Sequence, residues 1–175
     1  MNNYQGWLSI YKPFGLSSFS VVKKLKKYFH LDKIGHGGTL DPLAEGVLPV
    51  AVGKATKLIP FINSDVKEYE FDVKWGIQTT TDDAEGEVIS KSKFMPSELE
   101  INNKLKEMDG EILQKPPKAS AIKISGKRAY KLFRDNKNFE MVEKKVFIYS
   151  SKILDSSKKN VTKFSIKCGK GFYVR

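Results

Sequence analysis

The run Gly35-His36-Gly37-Gly38-Thr39-Leu40-Asp41-Pro42-Leu43-Ala44-Glu45-Gly46-Val47-Leu48 sets one carboxylate, Asp41, in a stretch of glycines closed by a proline. Three glycines within four positions call for an unusual backbone path or the close approach of a ligand. Pro42 fixes its own φ and turns Asp41 away from helical geometry. An aspartate held rigidly at a loop tip is a candidate nucleophile or base. The same residues also read as a tight turn whose aspartate bonds its own backbone. On the loop alone both readings stay open.

Other chemistries find little support. A zinc site needs about three or four clustered ligands. The chain offers His30, His36 and Cys168, far apart and at no ligand spacing, so no metal is expected. No Gly-x-Ser-x-Gly elbow occurs. Gly46 to Lys54 resembles a phosphate loop only superficially, because Ala55 stands where Ser or Thr is required and the first glycine is too distant. No dinucleotide fingerprint is present, so no cofactor is expected. Asp41 and Glu45 are the close carboxylate pair near the glycines, and their spacing decides nothing. What remains is an acidic residue in a rigid loop, a basic surface and several tyrosines near basic residues. That set suits chemistry on a nucleobase.

The chain that must position these residues has 175 of them, a length that suits one domain, with 40% hydrophobic residues to build a core. A single cysteine, Cys168, excludes an internal disulfide and points to a reducing compartment. Neither a signal-peptide pattern nor an apolar stretch of membrane length is found. A soluble, cytoplasmic protein is expected. The net charge is +11. Basic blocks at 1–62 and 101–175 flank an acidic stretch at 63–100, as in a protein that turns a basic face to a polyanion. Lys greatly outnumbers Arg, so the charge also reads as lysine written at exposed positions. Charge by itself does not separate RNA from DNA or from an anionic membrane.

Residues 6–12 read as a strand closed by the turn Lys12-Pro13-Phe14-Gly15. Ser17 or Ser18 then caps a helix over about 18–29, with Val21, Val22, Leu25, Tyr28 and Phe29 on one face and Lys23, Lys24, Lys26 and Lys27 on the other. Val47–Val52 reads as a buried strand or helix edge. Val66–Trp75 alternates, with Tyr69, Phe71, Val73 and Trp75 on the buried side. Gly76 to Gly86 reads as an acidic loop, and 97–108 as a helix facing Ile101, Leu105 and Met108 inward and ended by Gly110. Residues 114–117 form an extended connector, 121–124 a short strand and 127–135 a short basic helix. Two strands, 139–154 and 161–168, close the chain around a polar turn. Helices and strands mix without a βαβ rhythm, which implies α+β with a mostly antiparallel sheet flanked by helices.

The segment Gly35–Leu48 strongly resembles the signature of the TruB family of tRNA pseudouridine synthases. Four more blocks extend the resemblance, in order: Lys12–Ser18, Lys67-Glu68-Tyr69 with Gly76–Gly86, Gln114–Lys123 with Gly126–Tyr130, and Cys168–Arg175. The resemblance implies the pseudouridine-synthase fold and a reaction without cofactor, in which one uridine of the tRNA T-loop becomes pseudouridine. It implies that Asp41 is the essential aspartate, ionised and acting on ribose or base. Arg175 matches the arginine that pairs with it, an opposite charge favouring the carboxylate. Tyr69 matches the aromatic that stacks on the target base. Tyr173 matches a second aromatic of the pocket, and His36 a residue that helps hold the opened loop; His36 also reads as a neutral, hydrogen-bonded loop histidine. Lys12, Lys123, Lys127 and Arg128 are candidate phosphate contacts, while Ser120 and Tyr130 read as packing or local hydrogen bonding. Thr79 to Asp83 reads as a capped turn, near the cleft by resemblance.

The family's chain normally continues past the Tyr-x-Arg block, and a small RNA-binding, PUA-like domain usually follows. Residues 1–175 are therefore expected to be an incomplete catalytic domain without that appendage. Truncation would leave apolar surface uncovered and place an α-carboxylate beside Asp41's expected partner. The enzyme reading thus stands beside two others: a catalytically weak tRNA-binding remnant or folding helper, and a basic ribosome- or DNA-associated protein that rests on charge alone and leaves Asp41 unexplained. The expected partner is the tRNA T-arm and the expected state a monomer.

Overall fold

A computed structural model describes residues 4–62 and 66–175. The chain divides into two compact units, Met1–Ser64 and Asp65–Arg175. Every strand pairing among the described residues is antiparallel, as the α+β expectation requires.

The first unit contains β1 (Gly6–Lys12), α1 (Ser18–Tyr28), β2 (Ile34–His36), β3 (Gly46–Val52), a 3-10 turn at 53–58 and the short α2 (Ile59–Ile62). Its sheet runs β1-β3-β2. The Ser17 hydroxyl accepts the Ser20 N–H at 3.1 Å and starts α1, and Lys26 and Lys27 favour its carbonyl end. Val21 and Val22 of α1 pack on Leu48 and Val50 of β3, with Ile10, Leu16, Leu25 and Ile34 around them. Periodicity places Tyr28 and Phe29 on the same face, but they leave the core. Tyr28 is 77% exposed and Phe29 40%. The two rings meet edge to face at 4.9 Å, and Phe29 meets Tyr4 at 6.3 Å. A helical period assigns a direction; it does not supply a partner there.

The second unit contains β4 (Lys67–Lys74), β5 (Ile77–Thr79), β6 (Val88–Lys91), α3 (Glu98–Met108), β7 (Gly110–Gln114), β8 (Lys123–Ile124), β9 (Lys127–Arg128), α4 (Ala129–Arg134), β10 (Lys144–Asp155) and β11 (Val161–Cys168). Its main sheet runs β4-β11-β10-β7. The alternation of β4 holds: Tyr69, Phe71 and Val73 are half-buried while Glu68, Glu70 and Asp72 are exposed. Phe71 lies opposite Phe164 of β11 and stacks on it at 5.6 Å. The Trp75 indole N–H donates to the Thr162 hydroxyl at 2.9 Å. A capping box of Ser97 and Glu100 starts α3, which buries Ile101 and packs against β10.

Several boundaries differ from expectation. The acidic loop begins as a strand: β5 and β6 form a hairpin whose exposed residues carry no apolar alternation to reveal it. The segment after α3 is also a strand, because Gly110 takes φ +93° and starts β7, while Asp109 caps the helix. The expected strand at 121–124 shrinks to β8. The basic helix starts only at Ala129, since Lys127 and Arg128 pair with β8. β10 starts at Lys144, not at 139.

Candidate active site

The Asp41 loop runs from the end of β2 to Gly46, the first residue of β3. Asp41 itself is exposed, and its main-chain carbonyl accepts the Ala44 N–H at 3.0 Å, which closes a tight turn. The turn is held from outside. Ser18, 1% exposed at the start of α1, accepts the Leu40 N–H at 2.9 Å and donates to the Leu40 carbonyl at 3.1 Å. The Pro42 carbonyl accepts the Gly15 N–H at 2.8 Å and faces the Lys12 ammonium at 3.4 Å. Both chain neighbours of Asp41 are thereby tied to one stretch, 12–18.

Lys12 corrects an expectation. It is fully buried, and its Nζ donates to the Leu16 carbonyl at 2.6 Å and the Pro13 carbonyl at 3.0 Å as well. Its ammonium ties backbone together; it is not a surface phosphate contact. Burial lowers its pKa, against the opposing pull of the charges on Asp41 and Glu45. His36, half-buried at the end of β2, bonds the Gly38 carbonyl through Nδ1, which folds the ring back on its own loop. The Tyr11 hydroxyl donates to Glu45 at 2.8 Å, and that bond, with some desolvation, raises the phenol pKa.

In the second unit Tyr69 sits on β4, half-buried, opposite Ile166 of β11. Tyr173 and Arg175 follow β11 on a segment without regular structure. The side-chain amide of Gln114, at the end of β7, accepts the Tyr173 N–H at 2.9 Å and donates to the Tyr173 carbonyl at 2.8 Å. The Arg175 guanidinium reaches Asp83 at 3.2 Å, the Thr81 carbonyl at 3.4 Å and the Ala119 carbonyl at 3.1 Å. The Arg175 and Asp83 side chains are only 13% and 16% exposed. Asp83 is braced in turn: its other oxygen accepts the Thr81 hydroxyl at 2.5 Å and the Glu85 N–H at 3.0 Å, while its carbonyl accepts the Thr79 hydroxyl at 2.6 Å. Gly86 must be glycine for this turn to close, because a Cβ there would lie 2.7 Å from the Thr81 nitrogen.

Lys123, Lys127 and Arg128 lie exposed on the β8–β9 hairpin. Its two turn residues, Ser125 and Gly126, both have positive φ, 47° and 82°, the twist that suits a two-residue hairpin. Arg128 also donates to the Ala121 carbonyl at 2.5 Å. Ser120 is buried, and its carbonyl accepts the Tyr130 N–H at 2.9 Å. Cys168 is buried, which raises its thiol pKa against the influence of Lys67. Among the described residues no three His, Cys, Asp or Glu side chains gather as metal ligands would, and no described helix is long and apolar enough to cross a membrane.

Sequence reasoning placed Asp41, Tyr69, Tyr173, Arg175 and His36 but overlooked three of their holders. Ser18 was legible as a helix-start serine and Asp83 as part of a capped turn. Gln114 opens one of the family-like blocks, but its partner was not legible, since Tyr173 is 59 residues away in sequence.

An antiparallel α+β fold, with an aspartate on a glycine-rich loop and a Tyr-x-Arg segment after the last strand, defines a class: the pseudouridine-synthase fold. A solved Cbf5-Nop10-Gar1 complex matches 99% of this chain and 42% of the matched chain, with TM-score 0.69 and 28% identity. A solved H/ACA RNP bound to a substrate RNA containing 2′-deoxyuridine matches 97% and 39%, with TM-score 0.68 and 26% identity. The chain belongs to the TruB family: the pattern described as TruB family pseudouridylate synthase (N terminal domain) matches residues 26–174. The tRNA pseudouridine synthase B of Wolbachia pipientis subsp. Culex pipiens (strain wPip) is 48% identical over 97% of this chain and 48% of its own length. That of Ehrlichia ruminantium (strain Gardel) is 48% identical over 97% and 58%. The chain thus spans about half the length of the curated relatives it matches.

Proposed function

We propose that this chain is the catalytic part of a cytoplasmic, monomeric tRNA pseudouridine synthase acting on a uridine of the T-loop. The observation that carries the reading is the Asp41 loop: an exposed aspartate inside the family-matched segment, with both chain neighbours tied down from 12–18. Isomerisation breaks the C1′–N1 bond and forms C1′–C5; the C5 proton leaves and N1 gains one, so no external reactant is consumed. Asp41 is the carboxylate that acts on ribose or base. The uridine must leave its stack, which opposes reaction by a few kcal/mol, and stacking on Tyr69 offsets this. Tyr173 orients the base or handles its ring proton. Arg175 supplies the cation of the Tyr-x-Arg segment, and Asp83 sets its direction. His36 braces the loop, while Lys123, Lys127 and Arg128 contact phosphates, an interaction that weakens with salt.

A T-arm RNA hairpin tests the reading, with pseudouridine measured by mass spectrometry. Wild type is expected to form product and Asp41→Asn about a thousandfold less. Full activity in Asp41→Asn would overturn the assignment. Tight RNA binding without product in wild type would favour the binding remnant.

A further inference from the structure

We infer that Gln114 is a positioning residue that aims Tyr173, an inference that rests on Tyr173 belonging to the uridine site. β7 ends at Gln114, whose backbone lies opposite Lys144 of β10. Its side chain is left to serve a second neighbour. A primary amide carries a donor and an acceptor side by side, as a peptide unit does. Gln114 turns both on one residue, accepting from the Tyr173 N–H and donating to its carbonyl, and so reproduces one rung of an antiparallel ladder.

That rung matters because of where it falls. The ladder of the main sheet ends near Gly169, whose N–H donates to the Phe147 carbonyl at 2.7 Å. Beyond it, 170–175 forms no strand. The connector that starts at Gln114 therefore acts as a template, with the Gln114 amide at Tyr173 and the Ala119 carbonyl at Arg175. One hydrogen bond would leave the Tyr173 peptide free to swing. Two, on opposite sides of the same Cα, set the Cα–Cβ direction and with it the aim of the ring. A misplacement of about 1 Å at a reacting group can slow a reaction about a hundredfold.

Gln114→Glu and Gln114→Ala separate this role from plain support of the fold. An ionised Glu keeps the acceptor for the Tyr173 N–H but sets negative charge against the Tyr173 carbonyl. A protonated Glu restores the amide's donor and acceptor pattern. Lys115 beside it, Lys144 across the β7–β10 pair and Arg175 beyond Tyr173 favour the ionised form at neutral pH. With the T-arm hairpin at pH 7.5, both variants are expected to lose about tenfold or more in kcat while KM moves less than about twofold. Amide exchange at Tyr173 accelerates in the Ala variant while the β4–β11 amides stay protected. The inference falls if loss of activity simply follows a lowered Tm, or if Tyr173 exchange is unchanged. Should wild type form no product, the reading of the reaction falls first, Gln114 loses its catalytic consequence with it, and the exchange result alone decides whether Gln114 holds Tyr173.

Discussion

Each unit withdraws a cation from solvent at a proposed functional segment, and the two cations are used in opposite ways. In the first unit Lys12 turns its ammonium on three backbone carbonyls, those of Pro13, Leu16 and Pro42. In the second, Arg175 meets the Asp83 carboxylate as well as two carbonyls. The chemistry of the groups accounts for the difference. An ammonium is a compact charge with three rotatable donors, suited to carbonyls converging from several directions. A guanidinium is a planar fork that suits a carboxylate. The first device holds backbone around an aspartate; the second holds a charged group in a chosen direction. A formal charge in a sequence therefore says little until its neighbours are known.

The largest test of this contrast is Lys12→Met, which keeps most of the side chain's length and removes its donors. Three carbonyls then lose a buried partner, and the first unit should be destabilised by about 3 kcal/mol in urea unfolding. A loss below about 1 kcal/mol would show that water replaces the ammonium and that the bracket around Asp41 is weak. The same pair of proteins gives a pH signature. Burial lowers the folded-state pKa of Lys12 below its ordinary 10.5, so the unfolded chain holds that proton more tightly in the window between the two values. Wild-type stability should rise with pH through that alkaline window relative to Lys12→Met, and should not rise below it. A flat difference would mean that the ammonium is solvated.

Asp83→Asn is the matching test in the second unit. It leaves Arg175 facing a neutral amide, and a destabilisation of about 2 kcal/mol is expected, read by denaturant midpoint. Ser18→Ala removes two hydrogen bonds to Leu40 and should lower stability by about 1–2 kcal/mol, with faster amide exchange at Leu40. Equal exchange at Leu40 would break the parallel between Ser18 and Gln114. The smallest effect belongs to the exposed Lys145–Glu111 pair, 2.8 Å apart with side chains 71% and 57% exposed. Lys145→Ala should change stability by no more than about 0.5 kcal/mol, which sets the scale against which the buried cations are judged.

Much of the fold was legible where a side-chain pattern reports burial. β1, β3, β4 and β11 lie where alternation or apolar runs place them, and α1 and α3 start at the serines that cap them. Among the elements that escaped, β6 is exposed along its whole length and β9 is two residues long, so neither carries a burial pattern to reveal it. The aspartate loop and the Tyr-x-Arg segment were legible because glycine, proline and aromatic spacing mark them. The misreading of Lys12 came from treating a lysine as surface charge when its buried ammonium is spent on nearby carbonyls.

The sequence by itself determined the family, the antiparallel α+β class and the residue types of the proposed chemistry, because periodicity, turn residues and a signature loop are local properties. Only tertiary structure decided what holds those residues: Ser18 on Leu40, Gln114 on Tyr173, Asp83 on Arg175 and a buried ammonium beneath Pro42. Hydrogen bonds between residues 22 to 92 positions apart leave no periodic trace. They form only after burial has excluded water and left each polar group to find a partner within the protein.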